Sequence, residues 1–148
     1  MKYSQGKVGR IFLARIEHGD DLLEELKRLA TQERVETAVL YLIGALREAS
    51  LVVGPQACTI PSVPSWRHFD DCREILAIGT IFTGQDGPVL HLHSATGRGD
   101  TPLTGCLRGD SAVHLVIEAM IMELLETGAV KSYDPATELQ ILNFHQGR

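Results

Sequence analysis

Two histidines two residues apart, followed by a cysteine after a turn, are the residues of this sequence best suited to bind a metal ion. His91 and His93 lie in an apolar run, and side chains alternate across a β-strand, so this spacing puts both imidazoles on one face. A turn-rich segment, 97–102, then leads to a short apolar stretch containing Cys106. A hairpin would return this cysteine to the histidines. Two imidazoles and a thiolate suit a divalent ion, zinc above all, and leave a fourth position for water or a ligand.

The same residues also fit an interpretation without metal. Histidines at strand spacing are often polar residues on a half-solvated face, and a free cysteine is most often a small buried hydrophobe. The sequence contains neither CxxC nor HExxH, the compact motifs that would identify a zinc site by themselves. Spacing alone leaves both interpretations open.

The stretch HLHSATGRGD followed by LTGCLRGD resembles the central signature of the plants-and-prokaryotes-conserved domain, called PPC or PCC, which occurs beside AT-hooks in plant nuclear proteins. The family pattern is approximately HxH, a loop and GGHL, and the resemblance extends over about residues 6–144. In this family the two histidines and the later histidine form a candidate metal cluster. Cys106 stands in the place of the later histidine, and residues 104–105 replace the usual Gly-Gly. The resemblance implies a stand-alone, prokaryotic-type domain with His91, His93 and Cys106 as metal ligands.

The resemblance also implies assembly into a homotrimer. A six-residue family segment, often written GRFEIL, is the proposed site of assembly contacts, and residues 71–76 match its second half best. We therefore predict subunit contacts at Arg73, Glu74, Ile75 and Leu76. An ordinary charged strand end explains the same residues equally well.

One helix is the best-defined element around this candidate site. Apolar residues recur at helical spacing over about 20–32, and Asp20 or Gly19 can cap its start. Other periodic segments predict strands at 8–16, 36–43, 47–53, 72–83 and 138–144, with a bend or a tight connection at Gly44. Together with the family resemblance, these elements predict an α+β fold: a single domain over 1–148, with a mostly antiparallel or mixed sheet and one main helix packed on it.

Residues 112–125 give conflicting signals. Their apolar residues fit a helical stripe, whereas the family has a long strand at this place, and we predict a strand. His114 and Glu118 would be neighbours in either geometry. They are candidates for outer-shell partners of the metal, or for a satisfied buried pair.

Prolines dominate the segment 54–71, and its motif PSVPSW predicts irregular structure. Trp66, the only tryptophan, is predicted to anchor this loop on the core; the alternative is that it covers a pocket. His145, near the carboxyl end of the sequence, is predicted to be exposed.

Composition narrows the classes of function. The chain has 148 residues, 44% of them hydrophobic, and a net charge of −5, which suits one domain with a substantial core. Lysines and arginines are scattered and no RGRP-like AT-hook occurs, so nucleic acid is a doubtful partner.

No secretory signal and no run of about 18 apolar residues is present, and the three cysteines are an odd number. We predict a cytoplasmic protein with reduced thiols and no membrane association.

Three functions remain open. The first is a homotrimeric, zinc-binding module with a regulatory or protein-interaction role. The second is a metal-dependent enzyme or small-molecule binder at the His/His/Cys site; its acid–base residue would be Glu118, Asp100 or Asp110, and since spacing selects none of them, the sequence assigns no catalytic residue. In the third, the metal is purely structural, and its fourth ligand is His68, His114 or a residue of a neighbouring subunit.

Overall fold

Strands dominate the structure, and the predicted α+β class is therefore wrong. In the computed structural model, which describes residues 1–144, strands take up 68% and helix 8%, so the fold is largely β. His145 lies outside the described residues. The elements are β1 (Lys7–Glu17), α1 (Leu22–Gln32), β2 (Thr37–Pro55), β3 (Pro64–Phe69), β4 (Arg73–Gly84), β5 (Gly87–Arg98), β6 (Thr101–Leu125), β7 (Ala129–Asp134) and β8 (Leu139–Phe144). The class differs because segments predicted to be loops or corners continue as strands, whereas the helix has only 11 residues.

The main sheet is antiparallel and curls until it closes on itself. Its order is β1-β6-β5-β4-β2-β3, and β6 also pairs with β2. On one edge, β6 pairs with β5 over its first residues and with β1 over its last part. On the other edge, it pairs with β2 from Cys106 to Glu123. β7 and β8 form a separate hairpin. The long strand β6 thus closes the sheet, because it pairs with β5 and also with β2.

β2 passes through Gly44 as one strand, at the position where the sequence predicts a bend or a connection. The φ angle of Gly44 is +138°, and the register of β2 against β6 shifts immediately after it. A side chain here would collide with the carbonyl oxygen of Val116 on β6. Glycine is needed at this position because the two backbones approach closely while the strand turns.

The proline-rich segment supplies an edge strand, contrary to the irregular structure predicted from PSVPSW. Pro64 begins β3, which pairs with the second half of β2 and is the last strand in the sheet order. A proline at the start of an edge strand does not interrupt hydrogen bonding to a further neighbour. Trp66 on this strand is 51% exposed, so it does not anchor the segment in the core as predicted.

The N-cap of the helix lies one residue after Asp20 and two after Gly19, the two predicted caps. Asp21, rather than Asp20 or Gly19, is the N-cap, and its Oδ1 accepts a hydrogen bond from the Glu24 N–H at 3.0 Å. The same carboxylate accepts from the backbone N–H and the hydroxyl of Ser111 on β6, both at 3.1 Å. This double contact fixes α1 on the sheet, where its apolar side contacts β5 and β6. Within residues 1–144, no helix has the length and apolarity needed to cross a bilayer.

An ion pair joins β1 to β6 and to the end of the helix. The Arg10 guanidinium donates to the Glu123 carboxylate through Nε and Nη2, both at 2.8 Å, and the Arg10 backbone N–H donates to it at 3.1 Å. Arg10 Nη2 also donates to the Glu33 carbonyl at 2.8 Å. The Glu123 side chain is only 8% exposed, and its hydrogen bonds from Arg10 hold the pKa of this carboxyl below its usual value.

We expect Glu123→Gln to lower the free energy of unfolding by about 1–3 kcal/mol at neutral pH, because the amide keeps the shape and loses the charge. Solvent screening of the half-exposed Arg10 keeps this below the cost of breaking a fully buried pair. Since the folded state lowers the pKa of Glu123, the carboxylate stabilises the fold above the unfolded-state pKa and stops doing so as the pH falls through the folded-state value. Urea unfolding over a pH series should therefore show the two proteins converging in acid. A difference in the free energy of unfolding between the two proteins that stays constant with pH would contradict this role of Glu123.

Candidate metal centre

The β5–β6 hairpin brings the three predicted metal ligands together. His93 is the direct cross-strand partner of Cys106, and the ligand atoms of His91, His93 and Cys106 all lie within 4.8 Å of one another. The two Nε2 atoms of the histidines are 3.0 Å apart, and their rings are inclined at 75°. The convergence predicted from the HxH spacing and the hairpin is present.

This donor set fits a zinc ion. Bonds of about 2.0 Å to nitrogen and 2.3 Å to sulfur, at tetrahedral angles, place two nitrogens about 3.3 Å apart and nitrogen and sulfur about 3.5 Å apart. The two Nε2 atoms are already near this separation, and the sulfur of Cys106 lies within 4.8 Å of the histidine ligand atoms. Three ligands leave one coordination position open.

The surroundings of His91 favour its neutral, metal-binding form. Burial lowers the pKa of His91, and electrostatic repulsion by His93, Arg108 and Lys131 lowers it further. A neutral imidazole presents the free lone pair that a metal needs. The sulfur lies deeper than the rings, since Cys106 is only 6% exposed while both histidines reach the surface.

The histidines lie on the face of the sheet opposite the helix. Leu92, Ser94 and Thr96 alternate with them along β5 and are buried in the core side. The histidine side is therefore the outer face of the sheet, and its ligands can be reached from outside the core.

The structure does not bring His114 and Glu118 to this site. Residues 112–125 form a strand, as predicted, but β6 has a bulge between His114 and Glu118. His114 pairs with Ala45 of β2, whereas the partner of the adjacent Gly44 is Ile117, three residues further along β6. No hydrogen bond or ion pair between His114 and Glu118 occurs in the described chain. The His114 ring instead lies 5.7 Å from that of His18. Glu118 is separated from β5 by β2 and β4, about 14 Å along the sheet.

The other acid–base and ligand candidates also lie outside the cluster. His68, on β3, has its Nδ1 3.2 Å from the Ser50 hydroxyl. Asp100 occupies the turn between β5 and β6, and Asp110 is exposed on β6. Over residues 1–144, the one group of three or more potential ligands contains only His91, His93 and Cys106.

The predicted subunit-contact segment is divided between the surface and the core. Arg73 is bound within its own chain, its Nε donating to Asp71 at 2.7 Å. Ile75 is buried, whereas Glu74 and Leu76 are exposed. Leu76 is therefore the apolar residue of this segment that is available to a partner.

Comparison with known proteins now identifies the family. The sequence profile of the Plants and Prokaryotes Conserved (PCC) domain matches residues 3–125. The chain belongs to the PCC family. The resemblance seen in HLHSATGRGD and LTGCLRGD is thereby confirmed.

Relatives of this PCC domain agree with the assignment. The bifunctional protein GlmU of Synechococcus sp. (strain JA-2-3B'a(2-13)) is 33% identical over 129 residues, and the match covers 86% of this chain. The chain spans only 19% of the length of this relative. A metal-containing protein from Archaeoglobus fulgidus shares the fold with a TM-score of 0.84 at 23% identity, covering 95% of this chain and 98% of its own. A PPC protein from Pyrococcus horikoshii gives 0.83 at 20% identity, covering 100% and 99%.

The outer face of the PCC sheet also carries a row of exposed apolar side chains that ends at the histidines. Leu13, Met120, Tyr41 and Ile78 are successive cross-strand partners on β1, β6, β2 and β4, and we call them the apolar row. All four are exposed. The next partner after Ile78 is His93, so the histidines and the apolar row form one continuous surface.

A cavity of about 500 Å³ opens along this apolar row. Its lining also includes Ile43 and Leu76, and two charged residues, Arg15 and Glu118. The sequence contained a signal for this surface: the nearly continuous apolar run 36–43 is typical of a strand that is covered on both faces. The helix covers only the inner face.

Two cations near His91 were not identified from sequence. Arg108 follows Cys106 at strand spacing, so it could have been placed on the same face. Lys131 comes from β7, whose packing against β4 no local pattern indicates.

Proposed function

We propose that this PCC domain is a homotrimeric metal-binding module, with zinc as the best-suited ion, and that it acts in regulation or protein interaction. The convergence of the His91, His93 and Cys106 ligand atoms within 4.8 Å carries the proposal. The same fold occurs in an Archaeoglobus protein described as metal-containing, which supports a metal in this family.

The ligand set supports a site that both binds the ion and keeps it accessible. His91 and His93 would supply neutral nitrogens and Cys106 a thiolate. A bound zinc ion would supply Lewis acidity at its fourth position. A binding role is favoured over catalysis because Glu118, one candidate base, lies beyond β2 and β4, and no carboxylate of residues 1–144 belongs to the ligand cluster.

The apolar row supports self-association. Large exposed apolar patches are typical of protein interfaces, and interfaces between permanent subunits resemble a domain core. Each aliphatic or aromatic side chain buried from this surface would contribute about 1.5–3 kcal/mol. Assembly through three copies is the arrangement that the family resemblance implies. Since the row ends at His93, the metal ligands would lie at or near the subunit boundary.

Metal analysis and mass measurement test this proposal directly. Protein purified without a histidine tag should contain about one zinc per chain, and its sedimentation mass should equal three chains. If a chelator removes the metal and the trimer dissociates, the ion is structural; if the trimer persists, the ion is a ligand-binding centre. Protein that contains no metal and takes up none on dialysis against zinc would disprove the metal proposal, and a monomeric mass would disprove the trimer.

A further inference from the structure

Arg108 lies beside the proposed metal site on β6. It is two residues after Cys106, and alternation along the strand places the two side chains on the same face. Arg108 is exposed, and its charge reaches His91. Arg108 therefore lies on the same face of the sheet as the ligand cluster, close enough for its charge to act on His91.

Lys131 approaches the same face from the β7–β8 hairpin. Its Nζ lies 5.8 Å from the centre of the Phe82 ring, and Phe82 is the cross-strand partner of Val89, two residues before His91. The ammonium donates to the Gln140 carbonyl of its own hairpin at 3.3 Å. Lys131 thus lies over β4, the neighbour of the strand that carries the histidines.

Among residues 1–144, no carboxylate forms an ion pair with either of these two cations. Burial lowers the pKa of Lys131, and the nearby charge of Arg108 lowers it further, so the two cations act on each other. A divalent ion with a single thiolate ligand keeps a net positive charge and would strengthen this field. The surroundings of the site therefore attract an anion.

We propose that the open coordination position binds the oxyanion of a small molecule, a carboxylate or phosphate group, which Arg108 and Lys131 hold against the metal. The proposal rests on the metal site proposed above. The planar guanidinium can donate two parallel hydrogen bonds to such a group, and the ammonium supplies a point charge on its other side. Two cations beside one open position thus specify the charge and the shape of the group that binds there.

Titration of the cobalt-loaded protein tests this inference, because the visible spectrum of Co²⁺ reports on its own ligands. Phosphate and malonate are added separately, and each affinity is measured by calorimetry. We expect at least one of them to bind and to change the cobalt spectrum. Arg108→Gln and Lys131→Gln should each weaken that binding about 10- to 100-fold, the usual effect of losing a charge-assisted hydrogen bond, without lowering metal affinity. Arg108→Lys and Lys131→Arg should partly restore binding.

Matched controls separate this inference from the metal proposal. Arg67→Gln removes an exposed cation from β3 and should leave anion affinity unchanged. If wild-type protein binds cobalt, the metal proposal holds, and the inference is then overturned by any of three results: neither anion binds, binding leaves the spectrum unchanged, or both glutamine variants bind as wild type does. If cobalt does not bind at all, the metal proposal fails and this inference fails with it.

Discussion

Replacing His91 with alanine should remove the metal from this protein. The variant loses one of the three proposed ligands, and its affinity should fall by well over 100-fold, since even changes to groups that only support a ligand cost about 10- to 100-fold. Metal content should drop from about one ion per chain to less than a tenth of that. The His91 ring reaches the surface, so the fold should be retained. Elemental analysis of the purified variant measures its metal content, and circular dichroism checks that the fold is retained.

His68→Ala is the matched control for this experiment. It makes the same substitution on β3, where His68 contacts Ser50 and lies outside the ligand cluster. This control should keep its metal. Full metal content in the His91 variant would contradict the proposed site, and equal loss in both variants would show that the effect is not specific to the cluster.

Replacing Tyr41 with lysine should dissociate the proposed trimer. Tyr41 is in the middle of the apolar row, between Met120 and Ile78, and is 46% exposed in the single chain. Burying an unpaired ammonium at an interface costs several kcal/mol, and a trimer would contain three of them. We expect the assembly constant to fall by more than about 1,000-fold, because each 1.4 kcal/mol is a factor of ten. Sedimentation should then report the mass of one chain.

Tyr133→Lys provides the control, because Tyr133 is 58% exposed on β7 and is not part of the apolar row. Its mass should remain that of the wild-type assembly. A trimeric Tyr41 variant would contradict the assignment of this face as the interface. The metal content of the dissociated variant gives a second result: retained metal means that one chain supplies enough ligands, and lost metal means that a neighbouring chain completes the site.

The local features of the candidate site could be predicted from sequence because they depend on short-range geometry. Two-residue spacing put His91 and His93 on one face, and the turn-rich segment 97–102 returned Cys106 beside them. The family resemblance decided the strand at 112–125, where periodicity alone favoured a helix. The bulge that separates His114 from Glu118 was not predicted, because it depends on how β6 meets Gly44 of β2.

The fold class and the edge strand of the sheet could not be predicted from short-range geometry. Whether Pro64 begins a strand or a loop depends on whether β2 offers a free edge, which is a property of the whole sheet. Similarly, the sequence alone does not distinguish Asp20 from Asp21 as the N-cap of the helix. The structure uses Asp21, whose carboxylate also accepts a hydrogen bond from the hydroxyl of Ser111, ninety positions further along the chain. Lys131 reaches the site only because the β7–β8 hairpin packs on β4.

The pairing of β1 with the end of β6 has a consequence for how the protein folds. Lys7 lies opposite Leu125, so the first strand cannot be paired until nearly the whole domain has been synthesised. Contacts of such large sequence separation slow the search for the native state, and all-β domains dominated by them typically fold in milliseconds to seconds. Until then, the outward apolar residues of β1 and β2 are exposed in the nascent chain, and this is the interval in which aggregation competes with folding.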